Sequence, residues 1–427
     1  MNDRNSDVAA LAVPSIESIR AAFPALASST VFLDNAGGSQ LPGCVIEGMR
    51  AYLAGSYAQI GGSYLESVRA AAVVHDAHVL MSRWANAADE SHAILGPSDS
   101  TLVRMLADAY LDAGPKDGRD EIIVNVNGHE SNVGPWVRLE KFGWKVTRWM
   151  DLPVAGDGFV GSLREKLSER TKLVVFPHVS NILGSIVDVR AIANMAHDAG
   201  ARVMVDGVAY APHRAIDVQA FRADWYSWST YKVLGPHAAV LVGSAEAMAE
   251  VTGPNHFFMP ANAWPKKFEL GGVAHEACAG MVAVQPYLRM LAGIGEGLGE
   301  KPDLVDRATI ERALGVMANL ELGFQEQLIS GLMGIPGLTI LGPTEAGMSR
   351  VPTVSFVMPG KSSRGVATAA NARGLGMRFG QFYSHRLVSM LLPGSDVEDG
   401  VLRVSLVHYN TEVEVDALLK FLATEAG

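Results

Sequence analysis

The sequence predicts an α/β protein: a large domain on a mostly parallel sheet, followed by a smaller C-terminal α+β domain. Three observations carry this expectation. Between about residues 92 and 243, short apolar runs alternate with helical stretches, the pattern of βαβ units. At 427 residues the chain exceeds the size at which one core stops growing. Near residue 295 the texture changes to one long amphipathic stretch followed by isolated strands.

In order, residues 1–29 read as a loose arm and a short helix packing with the small domain, 30–295 as the large domain and 296–427 as the small one. "VFLDNAGG" (31–38) is a brief strand running into a glycine turn, and 41–86 is helical with a break at "IGGSY" (60–64). "HAILGPSDSTLVRMLADAYLDAG" (92–114) reads strand, turn, helix, with Ser98 or Asp99 as cap and Gly114 as stop. "EIIVNV", "KLVVFPHV", "ARVMVD", "DWYSW" and "AAVLVG" continue the strand series, with helices expected after Asn132 and near 190–199. Beyond 303–333, "GLTILG", "TVSFVMP" and "VLRVSLVHY" are strands before a C-terminal helix.

Composition narrows the function. Hydrophobic residues make up 48% and charged residues 19%, which is globular. The net charge of −10, with no Lys/Arg run, speaks against nucleic acid and anionic membrane as partners. The start carries no signal-peptide pattern and no apolar run reaches the roughly 18 residues that span a bilayer, so a cytoplasmic location is expected. Cys44 and Cys278 form neither a disulfide framework nor a CxxC metal pair.

The chemistry concentrates around Lys232, which stands between two apolar segments in "DWYSWSTYKVLGPHAAVLVG". A surface lysine there would need no explanation; a desolvated one has a lowered pKa and forms Schiff bases. Asp206 ends an apolar strand, where α/β proteins bind ligands, although a helix cap is an equally good reading. "GPSDS" (96–100) joins a strand to a helix start, so its amides and Ser98 make either an ordinary capped turn or an anion cradle. Ser229 and Tyr231 add donors, and His129, His178 and Asn181 follow further strand ends. Pyridoxal 5'-phosphate needs this set: a Schiff-base lysine, a carboxylate on the ring nitrogen, a phosphate cradle and a ring-shaped wall. A nicotinamide site would need GxGxxG after a strand, and zinc a His/Cys cluster; neither run is present.

"VFLDNAGGSQLP", "HVSNILGSIVDV", "VDGVAYAPHRAIDVQAF", "STYKVLGPH" and "LRVSLVHYNTEVEVDALL" together resemble the class V aminotransferase superfamily of fold-type I pyridoxal-phosphate enzymes, over roughly residues 18–425. The nearest likeness is to cysteine desulfurases, selenocysteine lyases and the isopenicillin-N epimerase group. The resemblance implies Lys232 as the cofactor lysine, Asp206 on the pyridinium nitrogen, and His129 stacked on the ring. It implies Ser98, Ser229 and Tyr231 at the phosphate, and Asn181 near the ring hydroxyl. It also implies Arg403 on the substrate α-carboxylate, with Asn35 and Arg378 beside the substrate. Family members build each site from two chains, so a homodimer is expected, with "IGGSYLES" and "FELGGVAHE" reaching across.

The chain departs from the family pattern in places. Pro97 and Gly272 occupy phosphate-contact positions where the family has threonine, and Ala209 stands where a glutamine is usual. Desulfurases carry a loop cysteine upstream of the carboxylate-binding arginine. The matching stretch, 377–401, has none, and Phe382 and Tyr383 stand about where it would be. The expected reaction is β-elimination on a cysteine-like or S-substituted cysteine substrate without a protein persulfide. Transamination, epimerisation and a non-catalytic pyridoxal-phosphate protein are the alternatives.

Overall fold

The computed structural model describes residues 13–115, 117–294 and 303–426. The junction expected at 295/296 and the arm before residue 13 lie outside the described residues. The larger sheet contains strands β1 (Ala93–Gly96), β2 (Glu121–Asn125), β3 (Lys145–Trp149), β4 (Thr171–Pro177), β5 (Arg202–Asp206), β6 (Trp225–Ser229) and β7 (Ala239–Gly243). Among the described residues its order is β1-β7-β6-β5-β4-β2-β3.

Strands β3, β2, β4, β5 and β6 run parallel. β7 is antiparallel to both β6 and β1, which corrects the reading of "AAVLVG" as one more parallel βαβ step. The connection from Ser229 to Ala239 is shorter than the dozen or so residues a parallel crossover needs, so the chain doubles back.

Two apolar layers explain why these strands read as continuous hydrophobic runs. Along β4 and β5, Val174, Phe176, Val203 and Val205 face one layer. Leu173, Val175 and Met204 face the other. Alternate residues are thus buried on opposite faces, as a sheet covered by helices on both sides requires. β3 is an edge strand with exposed Lys145 and Arg148, and its mixed pattern concealed it in the sequence.

The smaller sheet has strands β8 (Thr339–Leu341), β9 (Thr353–Val357), β10 (Arg378–Gly380) and β11 (Val401–Ser405), in the order β10-β11-β9-β8. The helices Arg307–Met333 and Glu412–Ala426 cover it, through Leu328, Leu332, Leu418 and Leu422. The 377–401 stretch, expected as a loop, contains β10 and the helix His385–Leu391. The N-terminal helix Ile16–Ala21 is tied to the C-terminal region: Arg20 pairs with Glu414 at 3.0 Å and donates to the Tyr409 carbonyl at 2.7 Å. No described helix is long and apolar enough to cross a membrane.

Candidate active site

The parallel strands end on one rim, and the chain beyond each end supplies one wall of a single cavity. It is lined by Ser98, Asp99, Ser100, His129, Ser131, Asn181, Asp206, Ser229, Tyr231 and Lys232, with Pro177, Val179, Val208 and Ala209 between them. Residues from β1, β2, β4, β5 and β6 therefore converge because parallel strands present their carboxyl ends together.

Asp206 closes β5. Its Oδ1 accepts the Val208 amide at 2.9 Å and its residue is 6% exposed. Gly207 follows because a Cβ there would collide with the Tyr226 ring. Burial pushes the Asp206 carboxyl up, while the Val208 amide and Lys232 oppose the shift. A buried carboxyl of this kind is stabilised as an anion by a cation brought to it.

Lys232 ends a short 3-10 turn, Thr230–Lys232, directly after β6. Its Nζ lies 5.9 Å from the Tyr231 ring centroid. Burial lowers its pKa to about 8, assisted by Arg403 and opposed by Asp206, Asp99 and Asp34. The amine is therefore closer to its nucleophilic neutral form at neutral pH than an ordinary lysine.

His129 caps the helix Glu130–Val137. Its Nδ1 accepts the Ser131 amide at 3.2 Å and lies 2.7 Å from the Ser131 hydroxyl. A backbone N–H only donates, so Nδ1 is the unprotonated nitrogen and the ring is neutral. Burial, with Lys232 and Arg403 nearby, drives its pKa to about 3. A neutral, oriented imidazole suits a flat wall rather than a proton donor.

Ser98 caps the helix Asp99–Ala113 by accepting the Thr101 amide at 3.2 Å. That leaves the amides of Asp99 and Ser100 free at the cavity, together with the hydroxyls of Ser100, Ser229 and Tyr231. Such a helix start receives an anion. Asp99, a cavity wall the sequence reading treated only as a cap, is 5% exposed, and its Oδ1 has no hydrogen-bond partner among the described residues. Its pKa rises to about 7, through burial first and then the negative charge of Asp206. The signal was present: Asp99 heads the buried stripe Leu102, Val103, Leu106 and Tyr110. Ser131 had no separate signal.

Other predicted residues lie elsewhere. Arg403, on β11, is 3% exposed; it donates to Asp34 Oδ1 at 3.0 Å and to the Asn181 carbonyl at 3.2 Å. Its Nε is buried without a partner among the described residues. Arg378 lines an adjoining cavity that shares Tyr231. Asn35 is 2% exposed, and its amide donates to Phe32, Ser405 and Asn410 while its oxygen accepts from Tyr409 at 2.5 Å. It thus clamps the chain around β11. Pro97 is the link between β1 and Ser98 and does not line the cavity. Gly272 borders a separate cavity with Tyr57, His78 and Glu269. His178 is buried, stacked on Tyr210 at 3.6 Å and bonded to the Tyr226 hydroxyl at 2.9 Å.

The aminotransferase class-V family model matches residues 31–295 and 297–418. The chain is 38% identical to the aminotransferase-like protein FGM3 of Gibberella zeae over 414 residues, covering 95% of this chain and 97% of that protein. It is 30% identical to a probable cysteine desulfurase of Synechocystis sp., covering 97% and 96%. The apo structure of a cysteine desulfurase from Thermococcus onnurineus NA1 shares the fold, with a TM-score of 0.82, 22% identity, and 98% and 99% of the two chains covered. These matches define the class: a fold-type I pyridoxal-phosphate-dependent enzyme. The chain belongs to the class V aminotransferase family, with cysteine desulfurases among its relatives.

The cavity residues fit that cofactor. A partnerless buried oxygen on Asp99, two free amides at a helix start and a lysine with no hydrogen bond among the described residues match an anionic, carbonyl-bearing ligand with a basic ring nitrogen.

Proposed function

We propose that the enzyme binds an α-amino acid at Lys232 and Arg403 and catalyses β-elimination from a cysteine-like or S-substituted cysteine substrate, without a protein persulfide. The observation that carries this reading is Lys232: a cavity-lining amine whose pKa falls to about 8, facing the same space as Asp206. Pyridoxal phosphate, when bound, supplies the electron sink that makes Cα acidic. Asp206 would hold the ring nitrogen, His129 would cover the ring face, and Ser98, Ser229 and Tyr231 with the helix amides would hold the phosphate. Asn181 would lie at the ring hydroxyl. Arg403, with a buried Nε lacking a partner, would take the α-carboxylate.

In the proposed reaction Lys232 accepts the α-proton and the Cβ–S bond breaks. With water consumed, the products are a thiol, ammonia and a 2-keto acid. The absence of cysteine from 377–401 supports release of free thiol. So does the burial of Cys278, which pushes that thiol up to about 12.

The enzyme would work as a cytoplasmic homodimer. Exposed Tyr57, which borders one cavity with Gly271 and Gly272, and exposed Leu270, which precedes them, support a subunit face there. Gly272 would then serve the partner's phosphate site.

The experiment is a panel of S-substituted L-cysteines with the pyridoxal-phosphate-loaded enzyme, measuring thiol and keto acid together. Stoichiometric release of both, lost in Lys232→Ala, supports the reading. Amino-group transfer to an added keto acid, or loss of optical rotation without thiol, replaces it by transamination or epimerisation.

A further inference from the structure

Two successive non-glycine residues, Phe382 and Tyr383, have φ of +48° and +58°. Side chains rarely adopt this strained region, and they persist there only where their surroundings over-determine it. Here they do. The Tyr383 amide donates to Gln381 Oε1 at 2.6 Å, and its carbonyl accepts the Glu130 amide at 2.7 Å. The Phe382 carbonyl accepts Asn181 Nδ2 at 3.0 Å, and the Ser384 hydroxyl donates to Asn181 Oδ1 at 2.8 Å. Arg386 pairs with Glu130, tying the next helix to the one that His129 caps.

The strain sets where two rings stand. Phe382 lies under two guanidinium groups, with Arg403 at 3.8 Å and Arg378 at 5.4 Å from its centroid. Tyr383 turns outward, 68% exposed, with its ring 5.3 Å from that of His129. Charges around the turn are largely satisfied. Asp34 pairs with both Arg378 and Arg403, and Glu130 takes Arg386. Among these five groups, three arginines and two carboxylates, one positive charge is left over, enough for one substrate carboxylate. The turn itself carries two aromatic side chains, Phe382 and Tyr383, and no charge.

We propose that Tyr383 determines substrate specificity: its ring contacts the substrate beyond Cβ and selects an uncharged, apolar side chain. The Phe382 ring beside it packs against the Arg403 guanidinium. This inference rests on the reading that Lys232 and Arg403 receive an amino acid.

The test uses the pyridoxal-phosphate-loaded enzyme with S-benzyl-L-cysteine, S-methyl-L-cysteine and S-carboxymethyl-L-cysteine, following visible absorbance and thiol release. The wild type should favour S-benzyl over S-carboxymethyl. Tyr383→Ala should raise KM for the S-benzyl substrate roughly tenfold and narrow that preference. Tyr383→Phe should retain it, because the ring and not the hydroxyl makes the contact. A Tyr383→Ala enzyme with unchanged KM values and preference, or a wild type favouring the carboxymethyl substrate, overturns the proposal while leaving Lys232 chemistry intact. A wild type whose spectrum responds to none of the three overturns both the proposal and the amino-acid reading beneath it.

Discussion

Arg378 and Arg403 stand directly opposite one another on neighbouring antiparallel strands. Like charges so placed repel. Asp34 resolves the conflict by binding both: Arg378 at 2.5 Å and Arg403 at 3.0 Å. Gly37 leaves room for this bridge, since a Cβ there would meet Asp34 at 2.6 Å and Arg378 at 2.9 Å. Burial lowers the Arg403 pKa to about 10, with Asp34 acting against that shift.

Asp34→Asn should therefore leave two facing cations with a weaker anchor. We expect KM for the amino acid to rise about tenfold, the equivalent of one well-placed charged hydrogen bond. Stability should fall by on the order of 3 kcal/mol, because a buried charge loses its partner. Substrate titration and urea unfolding check the two effects. Unchanged values in both would show that Asp34 neither orients Arg403 nor offsets its charge.

Asp34 also shows what the sequence leaves illegible. The strands β4 and β5 were readable because their central runs, residues 173–176 and 203–205, are apolar and buried on both faces, and β6 because it is buried throughout and rich in aromatic residues. Lys232, Asp206 and His129 were readable because each lies at or just beyond the end of a buried strand, and parallel packing forces strand ends to one rim. Asp34 sits in the same "LDNAGG" turn as Asn35, and spacing alone does not say which of the two faces the arginines. Nor does it show that Asn35 spends its amide on backbone carbonyls. The direction of β7 was hidden for a related reason, since an apolar run carries no sign of polarity and only the length of its connection does.

The amine of Lys232 gives a second prediction. Only neutral amine attacks the cofactor aldehyde, and desolvation sets the pKa of Lys232 at about 8. The rate at which apo-protein recombines with pyridoxal phosphate should rise with pH and level off above about 8. Arg403→Gln removes a charge that lowers this pKa, so its profile should move to higher pH. Stopped-flow absorbance measures both curves. A wild-type inflection at the ordinary lysine value would contradict the desolvated setting.

A third concerns the thiols. Burial raises the Cys44 pKa, and Cys278 is pushed to about 12, so neither is an available thiolate at neutral pH. Cys278 lies in the apolar layer rather than at the cavity. The Cys44→Ala, Cys278→Ala double variant should keep wild-type turnover on an S-substituted cysteine, and intact-mass spectrometry of wild type after turnover should show no added sulfur. Lost turnover in a folded, yellow double variant would make a thiol the nucleophile after all.

The last prediction concerns acid stability. His178 and His408 are 3% and 0% exposed, and burial lowers both pKa values to about 3, with His213 adding to the shift at His408. His408 Nε2 lies 2.6 Å from the Tyr287 hydroxyl, while its Nδ1 is buried without a partner among the described residues. An unfolded histidine titrates near 6.5 (roughly), so between that pH and about 3 only the unfolded chain binds these protons. Unfolding then takes up protons, and stability falls as pH drops through this window, while above it the two rings contribute no pH dependence. Each ring contributes up to about 1.4 kcal/mol per pH unit crossed. Urea unfolding between pH 7.5 and 4.5 should show this decline. His408→Gln removes one titrating group, so its stability should fall less steeply with pH, by about one proton's worth of slope, whatever its absolute stability. A variant whose slope matches wild type would mean that His408 is protonated in the folded protein, against the burial that the Tyr287 contact enforces.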